Sequence, residues 1–390
     1  MRRIGLFLGV EPHAGGMFQY TQSLLDALQA LPAHQYELRI ACASEAWRPV
    51  LVARGMQPVL LRHAPLGQRL ANIWMALRLP VWLTRVLSLF NPLAPQMRAQ
   101  GCDIWLFPAQ DAVAYQLGMP FIASIHDLMH RYEPHFPEVA GRWRTAAREH
   151  RFYHLTTQAQ LLLTDSEVGK THVAESYPVP SEKIFALPYV APSHMAQAVE
   201  PADFAERYAL PKKFFFYPAQ FWAHKNHMAL LQALAQLLPQ CPDMQCVFTG
   251  GHRYDYPALR EQVEALKLES HVHFPGYVPE AYMPGFYRRA RALLMPTFFG
   301  PTNIPPLEAM ACGCPMAVSG IYAMPEQLGD AAVYFNPRNV DEIASVMQRL
   351  WLDDECILQL KEQGKIQLQR WGQAQFNSRL QVILEQLPHD

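Results

Sequence analysis

The sequence predicts an α/β protein built from two doubly wound, Rossmann-like domains facing each other across a cleft. Three observations carry that expectation. The chain has 390 residues, about twice what a single core of roughly 150–200 residues requires. Apolar runs with strand character alternate with helical patterns nearly throughout, the mark of a parallel sheet covered on both faces. The alternation halts at a proline-rich patch, LPYVAPSHMAQAVEPADF (187–204), and then starts again.

Taken in order, IGLFLGV (4–10) reads as a buried first strand, and MFQYTQSLLDALQAL (17–31) has helical spacing after the turn at Gly15-Gly16. YELRIAC (36–42), DIWLFPA (103–109), PFIASIH (120–126) and AQLLLTDS (159–166) are apolar and end in polar or turn residues, as strands should. The second series is FFFYPAQ (214–220), MQCVFTGG (244–251), HVHFPGY (271–277), RALLMPT (291–297) and CPMAVSG (314–320). Between them, HMALLQALAQLL (227–238) and YPALREQVEALKL (256–268) repeat apolar residues at helical intervals. The expected division is 1–190 and 191–370, with 371–390 as a helix crossing back to the first domain. In such sheets ligands sit outside the strand C-termini.

Half of the residues are hydrophobic, 17% are charged and the formal net charge is −1. Global charge therefore points to neither nucleic acid nor an acidic ligand. The seven cysteines are odd in number and scattered, without paired zinc spacing, which suits a reducing compartment and free thiols. The opening MRRIGLFLGVEPHAGG has too short an apolar run for a signal peptide and reads as a strand. No uninterrupted apolar stretch reaches the roughly 18 residues of a spanning helix.

One segment breaks the rhythm. From Ala46 to Cys102 there is no Asp or Glu, while Arg stands at 48, 54, 62, 69, 78, 85 and 98. Within it Arg69, Trp74, Arg78, Trp82 and Arg85 give an arginine-studded, aromatic, amphipathic stretch. That composition suits a segment lying in an anionic membrane surface and touching a membrane-borne acceptor. An ordinary helical pair with solvated arginines is the plainer alternative.

Several short motifs bear chemistry. Gly15 and Gly16 sit between a strand and a helix, where missing side chains let backbone N–H groups approach a phosphate; a structural turn explains them equally. No GxGxxG fingerprint occurs, which argues against a dinucleotide dehydrogenase. His126 ends a strand and is placed to hydrogen-bond a ligand. With His130 it superficially resembles a zinc pair, but no helix face or partnering Glu supports that, so no metal is expected. In PAQFWAHKNH (218–227), Lys225 stands at a strand-to-helix turn where it can neutralise a phosphate; a solvated surface lysine is the alternative. The loop GPTNI (300–304) precedes LEAMA, whose Glu308 is expected in the first helical turn. Successive N–H groups of Gly300, Thr302, Asn303 and Ile304 suit an anion or a hydroxyl-rich sugar. Glu308 can accept a ribose hydroxyl pair or simply compensate the helix dipole.

The order of these motifs resembles retaining glycosyltransferase family 4, with the GT-B fold, over essentially the whole chain. The resembling pieces are Gly15-Gly16, IHDL (125–128), TDSEVGK (164–170), PAQFWAHKNH, VFTGG (247–251), VHFPGYVP (272–279) and GPTNIPPLEAMACGCPMAVS (300–319). The resemblance implies an acceptor-binding first domain and a sugar-nucleotide-binding second one. It implies that Glu308 holds the ribose, Lys225 the diphosphate, Tyr277 and Val278 bracket the base, His126 reaches the donor sugar and Gly16 lies near phosphate. Two positions depart from the family: Gly300 stands where a first glutamate is usual, and Gln220 where arginine is usual. With its FWAHKNH and GPTNIPPLE stretches, the chain resembles a variant found among bacterial mannosyl- and rhamnosyltransferases of surface polysaccharide assembly. The implied activity is metal-independent hexosyl transfer without a cofactor. The donor would be a nucleotide sugar, GDP-mannose or a GDP-deoxyhexose favoured. The acceptor would be a lipid-linked glycan of O-antigen lipopolysaccharide biosynthesis at the inner face of the cytoplasmic membrane. A sugar-nucleotide 2-epimerase of the same fold and a nonenzymatic sugar-nucleotide-binding scaffold remain as alternatives.

Overall fold

Apolar runs bounded by turn residues form strands that are buried on both faces, and their helices cover the sheets. A computed structural model describes residues 1–12, 15–62, 83, 86, 91–252 and 254–388. It divides into two units. The first comprises Met1–Pro134, Val139–Tyr189 and Gln373–Asp390; the second comprises His135–Glu138 and Val190–Gly372.

In the first unit the strands are β1 (Arg2–Leu8), β2 (Tyr36–Cys42), β3 (Val59–Leu60), β4 (Ile104–Phe107), β5 (Phe121–Ile125), β6 (Leu161–Thr164) and β7 (Ile184–Ala186). Among the described residues they make one parallel sheet in the order β3-β2-β1-β4-β5-β6-β7. Leu6, Leu106, Ile122 and Leu162 lie fully buried at its centre. The strand order reverses between β1 and β4, which makes their C-terminal ends the switch point where ligands bind in open α/β sheets. The final helix, Gln373–Glu385, belongs to this unit: Gln373 donates to the Ser23 carbonyl at 2.9 Å.

In the second unit the strands are β8 (Phe215–Pro218), β9 (Cys246–Thr249), β10 (Val272–Gly276), β11 (Ala292–Met295), β12 (Met316–Ser319) and β13 (Val333–Phe335). They run parallel in the order β10-β9-β8-β11-β12-β13. The apolar run Phe214–Phe216 is completely buried, as a central strand between two helical layers requires. Here the switch point falls between β8 and β11.

Three strands went unread in the sequence: β3, β7 and β13, each of two or three residues at a sheet edge or next to one. Runs that short carry no periodicity. The four residues His135–Glu138 correct the expected boundary, because they belong to the second unit. Phe136 stacks on Phe298 with ring centroids 5.5 Å apart, and Glu138 accepts from the His224 ring at 3.0 Å. Nothing local marks such a short excursion.

Candidate active site

The switch point of the second sheet gathers most of the expected site. After β8 the chain passes Gln220, which is exposed, and forms a short turn Ala223–Lys225 before helix His227–Leu237 begins. This turn is pinned from several sides. Asn226 takes a left-handed conformation (φ 59°) and is buried, and its amide donates to the Pro296 and Pro337 carbonyls at 3.0 and 2.9 Å. The Tyr217 hydroxyl donates to the Lys225 carbonyl at 3.0 Å. The Phe298 N–H, just past β11, donates to the His224 carbonyl at 2.8 Å. Lys225 is thus carried on a backbone held to both central strands.

The loop after β11 meets it. Lys225 Nζ lies 3.4 Å from Asn303 Oδ1. Gln327 clamps the Asn303 backbone, accepting from its N–H at 3.1 Å and donating to its carbonyl at 2.9 Å. This modifies the expected row of ligand-facing N–H groups, since that of Asn303 is used internally. Asn303 stands at the N-cap position of helix Ile304–Ala311 but makes no side-chain capping bond, and Pro305 and Pro306 lie inside the first turn, where absent N–H groups cost nothing. Glu308 is therefore the fifth helical residue and not part of the first turn, which removes dipole compensation as its reason. Its Oε2 instead accepts a 2.6 Å hydrogen bond from Tyr287, a fully buried residue of helix Met283–Arg289. Thr302 and Ile304 are buried beside Asn303 in sequence.

Gly300 has φ 123°, a region open essentially to glycine, and a Cβ there would fall 2.6 Å from Asn303 Nδ2. The glycine makes room for the asparagine amide. Tyr277 and Val278 lie elsewhere, beyond the C-terminal end of edge strand β10; Tyr277 is 71% exposed and Val278 is buried.

At His224, the residue before Lys225, Glu138 accepts from both the backbone N–H and the ring Nδ1, at 3.3 and 3.0 Å. Burial pushes the Glu138 carboxyl up, but its hydrogen bonds outweigh this and the net direction is down. His227 is fully buried between Tyr217 and Phe221, and burial drives its pKa down to about 3.

The remaining expected residues belong to the first unit. Gly15 has φ 62° and precedes helix Gly16–Gln29, whose first turn contains no acid; a Cβ on Gly15 would meet nothing within 4 Å. The left-handed backbone alone explains a glycine there, and the open space leaves approach possible. His126 follows β5, and both its ring nitrogens are occupied. Nε2 lies 2.7 Å from the Pro108 carbonyl, which can only accept, so Nε2 carries the proton. Nδ1 then accepts from the Tyr189 hydroxyl at 2.6 Å. Burial holds this imidazole below its ordinary pKa. His126 as placed is thus committed to protein partners. His130 is buried, with Nε2 2.8 Å from Glu149 Oε1. Arg69, Trp74, Arg78, Trp82 and Arg85 lie outside the described residues.

Asn226, Tyr287, Gln327 and Glu138 escaped the sequence reading. Only Asn226 left a signal, an Asn immediately before a helical run, which is a common cap.

Residues 200–367, 168 of the chain's residues, match the family of glycosyl transferases group 1. The chain is 28% identical over 223 residues to O-antigen chain mannosyltransferase B of Escherichia coli, covering 56% of this chain and 58% of that protein. It is 28% identical over 199 residues to O-antigen chain mannosyltransferase RfbU of Salmonella typhimurium, covering 48% and 53%. The match thus spans little more than half the length of these relatives. Among solved structures, Anabaena Alr3699/HepE, crystallised with UDP and glucose, superposes with a TM-score of 0.73 at 16% identity, over 99% of this chain and 100% of that one. The two parallel α/β units have the GT-B fold. The similarity to the group 1 glycosyl transferases lies in the second unit, over residues 200–367.

Proposed function

We propose that the protein is a retaining hexosyltransferase that moves mannose, or a related deoxyhexose, from a GDP-sugar to a lipid-linked glycan in O-antigen assembly. The observation that carries this reading is the convergence of Lys225 and Asn303 at the switch point of the second sheet. Two helix N-termini, those of His227–Leu237 and Ile304–Ala311, follow directly from the same loops. A fixed ammonium and two sets of helix N–H groups suit a departing nucleoside diphosphate. Glu308, oriented by Tyr287, would accept the ribose hydroxyls. No metal is part of this reading: Lys225 and the helix termini would supply the charge compensation, and transfer should survive chelation by EDTA. The mannosyltransferase names of the two relatives support the choice of donor sugar and pathway.

A thermal-shift series with GDP, UDP, dTDP and their mannose, glucose and rhamnose conjugates tests the donor. A ligand bound only by the folded state raises the melting point by mass action. A selective rise with GDP and GDP-mannose is expected; no rise with any nucleotide would sink the reading. The anomer of the transferred sugar, read by NMR, tests retention.

The arginine-rich segment supports a peripheral position on the inner face of the cytoplasmic membrane. Among the described residues no helix is long and apolar enough to cross a membrane. Changing Arg69, Arg78 and Arg85 together to Glu should release the protein from anionic vesicles, and undiminished co-sedimentation would refute a membrane role for them.

A further inference from the structure

Four residues of the second unit come from a distant part of the chain. The chain leaves the first unit after Pro134 and returns to it at Val139, and His135–Glu138 between them pack with the second unit. The sequence EPHFPE (133–138) explains how so short a piece holds a shape. Pro134 and Pro137 each fix φ, and each restricts the residue ahead of it, so little conformational freedom is left to lose.

Two side chains make the attachment. Phe136 is buried and stacks on Phe298, with ring centroids 5.5 Å apart. Glu138 Oε1 accepts from the backbone N–H of His224 at 3.3 Å and from its ring Nδ1 at 3.0 Å. Only 12% of the Glu138 side chain and 7% of the His224 side chain are exposed. Glu138 Oε2, also buried, accepts no hydrogen bond among the described residues, so the hold on His224 runs through Oε1. Hydrogen bonds to a buried carboxylate are strong, and their loss would leave buried donors unsatisfied.

His224 is a crosspiece. Its N–H and ring are tied to Glu138, while its carbonyl accepts from the Phe298 N–H at 2.8 Å and the Thr297 hydroxyl at 3.2 Å. Phe298 completes the arrangement, since its ring receives Phe136 and its N–H reaches His224. Both tied points lead straight to the candidate donor site. Lys225 follows His224 directly, and the loop at Phe298 runs on through Gly300 to Asn303, whose Oδ1 lies 3.4 Å from Lys225 Nζ.

We infer that Glu138 is a positioning residue for Lys225: the strap His135–Glu138 clamps the His224–Lys225 turn against the loop after β11 and fixes the ammonium beside Asn303. The effect on donor binding rests on the function proposed above; the clamp itself does not.

Hydrogen exchange in the full-length protein, with no ligand added, reads the clamp. Glu138→Ala should speed amide exchange in a peptide covering Ala223–Asn226 by about tenfold or more, with β8 and β11 exchanging as in the unsubstituted protein. Exchange that rises equally everywhere, or nowhere, would overturn the clamp. Glu138→Gln keeps an acceptor oxygen for His224, should show a smaller rise at the same place, and serves if the alanine variant unfolds. A double-mutant cycle in GDP titrations reads the consequence. Glu138→Ala should weaken GDP by about tenfold when Lys225 is present and by less than about twofold in Lys225→Ala protein. Equal factors in the two backgrounds would show that Glu138 supports the fold and not the lysine. Absence of GDP binding by the unsubstituted protein would instead strike at the donor reading, with hydrogen exchange still deciding the clamp.

Discussion

The side chains of Lys225 and Asn303 meet, Nζ to Oδ1 at 3.4 Å, although 78 residues separate them. The asparagine can reach that position because residue 300 has no side chain: a Cβ would stand 2.6 Å from its amide nitrogen, and φ is 123°. Gly300 and Asn303 are thus one arrangement, in which the asparagine amide occupies the space that a side chain on residue 300 would need.

Restoring the acid should therefore harm this protein. Gly300→Glu forces an L side chain into a glycine conformation and against Asn303, at a cost of about 1–3 kcal/mol. A lower melting temperature and weaker GDP binding are expected from calorimetry. Wild-type values for both would show that the loop re-forms freely. Lys225→Ala should reduce transfer by about 10²–10³, the usual consequence of removing a group that stabilises developing charge, with Asn303→Ala falling less far.

Tyr287 and Glu308 separate orientation from recognition. Glu308→Ala removes the proposed ribose acceptor and should weaken GDP by about tenfold or more. Tyr287→Phe keeps the carboxylate and removes only its 2.6 Å donor, so a loss nearer 1 kcal/mol is expected. Equal losses in isothermal titrations would mean that Glu308 acts only through its contact with Tyr287.

The Glu138–His224 pair predicts a pH response. Glu138 titrates below its ordinary value in the folded state. A depressed acid contributes stability that is full above its unfolded pKa and is lost as pH falls through the folded one. The window runs downward from about 4.5. Glu138→Gln should melt earlier at pH 7 and show a flatter dependence of stability on pH below that point. Parallel curves for the two proteins would refute a stabilising role for the pair.

Asp111 has the opposite sign. Its pKa is raised from 3.8 to about 6, chiefly by burial, so folding pays for its ionisation once pH rises through that interval. Asp111→Asn should raise the melting temperature at pH 8, by a free energy of order 1–2 kcal/mol for a partly exposed group, and change little at pH 3.5. Such a gain is the signature of a buried carboxylate retained at the expense of stability. A variant less stable at pH 8 would instead mark Asp111 as structural.

What the sequence determined by itself was local. Period and composition placed ten of the strands, because a centrally buried parallel strand must be apolar along its length. The stiff loop ahead of LEAMA and the lysine at 225 stood out because prolines and turn residues announce their geometry within a few positions. Tertiary structure decided what distance in sequence conceals. It moved Glu308 out of the first helical turn and onto Tyr287, occupied both nitrogens of His126, and gave the second unit four residues from the middle of the first. It also brought Gly9 and Asp111 together at one end of the first sheet. Hydrogen bonds and burial depend on which strand ends become neighbours when the sheet order reverses, and no short window of residues records that order.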